Sequence, residues 1–203
     1  MTQTIASLKP FEAERDTSSP NRNLAPITTA LDGEDRLVIG GCLLSELAQR
    51  YGTPLYVLDE DTVRATCRAY RDALQQHYPG TSLPVYASKA NSSLLMSSIA
   101  AAEGLGLDAV SAGELLTALQ GGMPGERMVL HGNNKNDEEL LLAYNNNVTV
   151  VVDNQHDLDR LKALIPADAE PARLMLRFTP GIECHTHESV SYTHLTLPTT
   201  PVV

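Results

Sequence analysis

Positive charge is the first thing this sequence lacks: 15 lysines and arginines stand against 25 aspartates and glutamates, a net charge of −10. A surface of that sign argues against a nucleic-acid or membrane-surface partner. Aromatic residues are scarce too, with no tryptophan and two phenylalanines. The 42% hydrophobic and 20% charged content is nonetheless that of an ordinary soluble protein. No apolar run is long enough to cross a bilayer, and Met1-Thr2-Gln3-Thr4-Ile5 lacks the basic and apolar regions of a secretory signal. Cys42, Cys67 and Cys184 are far apart, odd in number and in no metal or redox spacing, which reads as reduced thiols of a cytoplasmic protein. The length of 203 residues suits one large domain or part of a bigger one.

What is present is an alternation. Residues 1–35 are polar, carry Pro10, Pro20 and Pro26, and read as a flexible leader. A short strand is expected at Leu37-Val38-Ile39, turned by Gly40-Gly41, and a short helix from Leu44 to Tyr51. Pro54-Leu55-Tyr56-Val57-Leu58 is apolar and β-favouring, and Asp59 then offers an N-cap to a helix with Val63, Cys67, Tyr70 and Leu74 on one stripe. Five strands follow, at Val85–Ser88, Leu107–Val110, Met128–His131, Thr149–Asp153 and Leu174–Phe178. Their starts lie 22, 21, 21 and 25 residues apart. A helix fills each gap: Ser92–Glu103, Ala112–Leu119, Asp137–Asn145 and Gln155–Ile165. Ser111 with Glu114 and Asn136 with Glu139 have capping-box spacing, and Asn154 precedes the last helix.

The strands are near-continuous apolar runs, as parallel strands covered on both faces should be. Strand–helix alternation at this short, even period means an α/β fold with right-handed crossovers. No Gly-x-Gly-x-x-Gly follows the first strand, which favours a (β/α)8 barrel over an open dinucleotide-binding sheet. About five of eight units are accounted for, so the expected architecture is an incomplete barrel.

Such folds place function at the carboxyl ends of the strands. The residues there are Lys89, Asp108 and Ser111, His131 with Gly132-Asn133-Asn134, Asp153, and Arg177. A lysine held there among apolar neighbours would lose its proton easily and form a Schiff base with a carbonyl. Facing acids, a histidine and an arginine across one mouth, it would suit an anionic, electron-withdrawing cofactor such as pyridoxal phosphate. Each residue also has a structural reading. Lys89 would be a solvated turn lysine, Ser111 and Glu114 only a capping box, and Asn133-Asn134 only a turn. His131 would be a satisfied core histidine, Arg177 an ion-pair partner, and Asp153-Asn154 a helix start. Cys184-His185-Thr186-His187 with His194 has the spacing of no known zinc site, so no metal is expected.

Five segments occur in order: Tyr51-Gly52-Thr53-Pro54-Leu55-Tyr56-Val57; Tyr86-Ala87-Ser88-Lys89-Ala90-Asn91; Gly106-Leu107-Asp108-Ala109-Val110-Ser111-Ala112-Gly113-Glu114-Leu115; His131-Gly132-Asn133-Asn134-Lys135; and Leu176-Arg177-Phe178-Thr179-Pro180-Gly181. Together, from about Leu37 to about Glu188, they resemble the amino-terminal half of the diaminopimelate decarboxylase family, pyridoxal-phosphate enzymes of the alanine racemase-like barrel group. Ser88 stands where that family often has valine. The resemblance implies that Lys89 carries pyridoxal 5'-phosphate as an imine, that Asp108 lies beside it and helps set its protonation, that Arg177 faces the ring, and that Ala87 and His131 line the pocket. The implied reaction is decarboxylation of meso-diaminopimelate to L-lysine, in a cytoplasmic homodimer with shared active sites.

The same resemblance implies three parts: residues 1–53 as a leader with a strand and helix of a second β-domain, 54–188 as the amino-terminal part of the cofactor barrel, and 189–203 as a non-native tail. Val190 to Thr199 resembles a translated sequencing adaptor. The family's phosphate loop and several substrate-gripping residues fall beyond the matched stretch, so the piece is expected to be inactive alone. Three other readings remain open: a decarboxylase for another basic amino acid or a carboxynorspermidine-type substrate, a non-catalytic pyridoxal-phosphate carrier on the same barrel, and a (β/α) barrel that forms no imine.

Overall fold

A small antiparallel sheet opens the chain, in a computed structural model that describes residues 9–10 and 24–178. Its strands are β1 (Lys9–Pro10), β2 (Ala30–Leu31), β3 (Leu37–Ile39) and β4 (Cys42–Leu43), paired in chain order. The leader is therefore not irregular throughout, because Lys9–Pro10 and Ala30–Leu31 pair into this sheet. The turn from β2 to β3 is built on Asp32. Its Oδ1 accepts from Glu34 N and Arg36 N, each at 2.9 Å, and its Oδ2 from Arg36 Nε at 2.8 Å. The Arg36 amide foremost, with the other donors, outweighs the cost of burial and holds this carboxyl below its ordinary range.

Helices α1 (Leu44–Tyr51) and α2 (Glu60–His77) follow. Asp59 caps α2 through Thr62 N at 3.0 Å and also accepts from Thr28 Oγ1 at 2.7 Å, tying the small sheet to the helix. Burial pushes the Asp59 carboxyl up, but the Thr62 and Thr28 hydroxyls and the Thr62 amide together bring it below the usual value. The β-favouring stretch Pro54–Leu58 forms no strand. Among the described residues no strand runs beside it, and Leu55, Tyr56, Val57 and Leu58 are exposed. β-propensity alone does not make a strand when nothing takes its backbone groups.

The second sheet has five parallel strands in chain order: β5 (Val85–Ala87), β6 (Gly106–Ala109), β7 (Met128–Leu130), β8 (Thr149–Val152) and β9 (Leu174–Leu176). The crossovers contain α3 (Leu94–Ala102), α4 (Ala112–Gln120), α5 (Asp137–Asn145) and α6 (Gln155–Leu164). A doubly wound sheet would reverse its strand order at a switch point. This one never does, and its helices pack on one another in sequence, which is the winding of a barrel arc. β5 and β9 form its two edges among the described residues.

Alternation along the strands separates two faces. Leu107, Ala109, Met128, Leu130 and Val150 join Ile99, Leu115, Leu140 and Leu161 in the core between sheet and helices. Ala87, Asp108 and Val129 lie side by side across the ladder and point the other way, into the concave side of the arc. The expected strands end one or two residues early, so that Ser88, Val110, His131 and Asp153 belong to the loops that carry the site. Residues 179–203, including Cys184, His185, His187, His194 and the expected non-native tail, lie outside the described residues.

One packing contact gives a clear stability test. A Cβ added to Gly125, buried in the turn before β7, would stand 1.6 Å from the Asn146 carbonyl oxygen at the end of α5. That atom is main chain and cannot swing away. Gly125→Ala should lower unfolding free energy by about 1–3 kcal/mol or more, read from urea melts of the full-length gene product. An unchanged midpoint would show that α5 does not press on this turn.

Candidate active site

Strand β5 delivers the chain into a single 3-10 turn, Ser88–Ala90, with Lys89 at its centre. Both ends of this turn are anchored. Ser88 is buried, and its hydroxyl lies 2.9 Å from the Asp108 carbonyl oxygen and in a short hydrogen bond to the Glu114 carboxylate. Downstream, the Tyr86 hydroxyl donates to the Asn91 carbonyl at 3.1 Å, and the Asn91 side chain accepts from Ser93 N at 3.1 Å. Burial raises the Tyr86 phenol against that hydrogen bond, favouring the protonated form that donates it. Lys89 itself is exposed and is not held among apolar side chains as its strand suggested.

The next strand supplies Asp108, directly beside Ala87 in register. Its carboxylate oxygens lie 3.1 and 3.2 Å from His131 Nδ1, the ring nitrogen of the first residue after β7. The His131 amide also donates to the Ala109 carbonyl at 2.7 Å, fixing the residue to β6. An ionised carboxylate only accepts, so Nδ1 carries the proton and Nε2 is left for another partner. Side-chain exposures of 27% for Asp108 and 38% for His131 leave the pair open at the mouth. Its structural reading, a satisfied core histidine, therefore does not describe it.

Three adjacent strands thus present Ala87, Asp108 and, just past its end, His131, with Lys89 in the turn that follows the first of them. Arg177 extends the β9 ladder, its amide donating to the Val152 carbonyl at 2.9 Å. It lies three strands from Asp108, roughly 14 Å along the sheet at the usual strand spacing, and so belongs to another sector of the mouth. Asn154 caps α6, while Asp153 reaches Lys135 at 3.5 Å and Asn154 Nδ2 at 2.9 Å.

The loops between strands are stitched by side chains that spacing alone described as helix caps. Ser111 does cap α4, accepting from Glu114 N at 3.3 Å. The Glu114 carboxylate, however, turns away to the Val110 amide at 2.8 Å and to Ser88. Asn136 and Glu139 form a complete capping box, and the other Glu139 oxygen accepts from Ala112 N at 3.1 Å. Lys135 is the residue that pattern reading missed. It was legible only as the end of a motif, yet its ammonium is buried below the His131 loop.

The pattern of the family described as "Pyridoxal-dependent decarboxylase, pyridoxal binding domain" matches residues 60–195. A diaminopimelate decarboxylase from Synechocystis is 45% identical over 185 residues, covering 87% of this chain and 39% of that protein. A solved diaminopimelate decarboxylase from M. jannaschii superposes with a TM-score of 0.71 at 31% identity, over 79% of this chain and 38% of the other. The Helicobacter pylori diaminopimelate decarboxylase, solved in complex with L-lysine, gives a TM-score of 0.64 at 31% identity, covering 71% and 36%. The chain spans about two fifths of the length of the curated relatives it matches.

Proposed function

Because this chain belongs to the pyridoxal-dependent decarboxylase family, matching its pyridoxal-binding domain, we propose that the Lys89 sector is a pyridoxal phosphate site serving decarboxylation of meso-diaminopimelate to L-lysine. The observation that carries the reading is the Asp108–His131 pair, open at the mouth, its carboxylate one strand and its imidazole two strands from the anchored Lys89 turn. These groups fit the cofactor's ring end. An exposed primary amine can take its aldehyde carbon, the small side chain of Ala87 leaves room for a flat ring, and a carboxylate–imidazole pair stands beside both. The cofactor, when bound, supplies an electron-withdrawing ring that accepts the electron pair released as carbon dioxide leaves.

The protein's part is placement. The Ser88 and Tyr86 hydrogen bonds hold the main chain on either side of Lys89, so its amine approaches from a fixed root. Asp108 takes the His131 Nδ1 side of the ring and leaves Nε2 for another partner. The choice of substrate is supported by the His131-Gly132-Asn133-Asn134-Lys135 segment and by similarity to relatives named for diaminopimelate. Arg177, across the arc, is assigned to the cofactor's far side. The whole protein is read as a cytoplasmic homodimer; no described helix is long and apolar enough to cross a membrane.

The substrate assignment is tested by carbon dioxide release from the full-length gene product with added cofactor. Diaminopimelate should be turned over at least about a hundredfold faster, in kcat/KM, than ornithine or arginine, because a site built for a second polar amino-acid end is left with unpaired groups by substrates lacking it. Faster turnover of ornithine would move the protein to another branch of the family.

A further inference from the structure

A buried ammonium with three acceptors lies beneath the loop that carries His131. The Lys135 side chain is only 1% exposed, and that of Asp157 beside it 2%. Lys135 Nζ donates to the Gly132 carbonyl at 2.5 Å and to Asp157 Oδ2 at 2.7 Å, with Asp153 Oδ1 at 3.5 Å. Three donors meet three acceptors, so the charge is fully satisfied. Stability does not account for such a pair, since well-packed apolar residues of similar volume commonly serve a fold as well or better. What an apolar pair cannot do is hold a carbonyl.

The held carbonyl belongs to the residue next to His131. Gly132 has φ +107, a backbone state that side chains disfavour, so the main chain turns sharply as it leaves the histidine. On the far side of the loop, the Asn136–Glu139 capping box and the Glu139 contact with Ala112 N fix the start of α5. The loop is therefore pinned at both ends, once to α4 and once, through Lys135, to the start of α6.

We propose that Lys135 is a positioning residue for the His131–Asp108 pair: anchored by Asp157 and Asp153, it holds the Gly132 carbonyl and so fixes the direction in which the His131 ring leaves the main chain. The inference rests on reading His131 as part of the cofactor site, but its test does not depend on catalysis. It concerns β7, β8 and the loop between β7 and α5, and makes Lys135 neither a ligand of the cofactor nor a proton carrier.

The full-length gene product, free of cofactor and labelled with 15N in its histidine rings, should show a protected His131 ring N–H, assigned by its absence in His131→Gln. Lys135→Met leaves Asp157 buried and unpaired, and should lower the melting temperature. The double variant Lys135→Met with Asp157→Leu should recover a cooperative melt, yet exchange that ring proton at least about tenfold faster. Loaded with cofactor, it should lose kcat by about tenfold with KM within about twofold, in the range seen when a supporting hydrogen bond is removed. An unchanged ring signal in the double variant would overturn the proposal. So would loss of cooperative folding in both variants, because the pair would then be holding the fold rather than the ring. Failure to decarboxylate diaminopimelate with the ring result as expected would count against the substrate reading alone.

Discussion

Lys89→Ala should reduce kcat/KM for diaminopimelate by about 10^4-fold or more, the scale on which a covalent catalytic group is lost. The fold should hardly notice. Lys89 is exposed in the middle of a turn whose hydrogen bonds come from Ser88, Tyr86 and Asn91, so the change in stability should stay within about 0.5 kcal/mol. A separation of this kind distinguishes a reacting group from a structural one. Carbon dioxide release and a thermal melt on the same purified variant measure both quantities. Activity within tenfold of the parent would show that the amine is dispensable and the assignment wrong.

The second large effect is expected at Asp108. Replacing it with alanine removes the acceptor 3.1 Å from His131 Nδ1 and frees the ring to rotate and exchange tautomers. A loss of about 10^2-fold in kcat/KM should follow, as for other groups that hold or position a proton. His131→Ala should cost a similar amount, and the double variant little more than either alone, because both remove one interaction. Losses that multiply to about 10^4 would mean that the two side chains act independently, against the geometry.

Much of this arrangement was legible in the sequence, and the physical reasons are specific. The strands at Met128 and Thr149 and helix α5 announce themselves because a parallel strand buried on both faces must be apolar throughout, and because Asn136 and Glu139 spell out a reciprocal cap. Lys89, Asp108 and His131 were marked by one fact, their place just at or beyond the ends of successive strands. The turn at Asp32 was hidden inside a polar stretch that composition alone called irregular. The fold there depends on one carboxylate collecting donors from Glu34 and Arg36, which no periodicity reports. Pro54–Leu58 points the opposite way, since its residues favour a strand that no neighbour among the described residues completes. Glu114 and Lys135 were hidden for a third reason. Their partners, Ser88 and Asp157, are 26 and 22 residues away and meet them only once the arc is wound.

If Lys89 is the lysine that binds the cofactor covalently, peptide mapping after borohydride reduction will find the cofactor there. The full-length gene product is incubated with pyridoxal phosphate, reduced, digested and read by mass spectrometry. The reduced cofactor is expected on the peptide containing Tyr86-Ala87-Ser88-Lys89, with a matching loss of activity. Stoichiometric label on Lys135, Lys162 or any other lysine, with Lys89 unmodified, would contradict it.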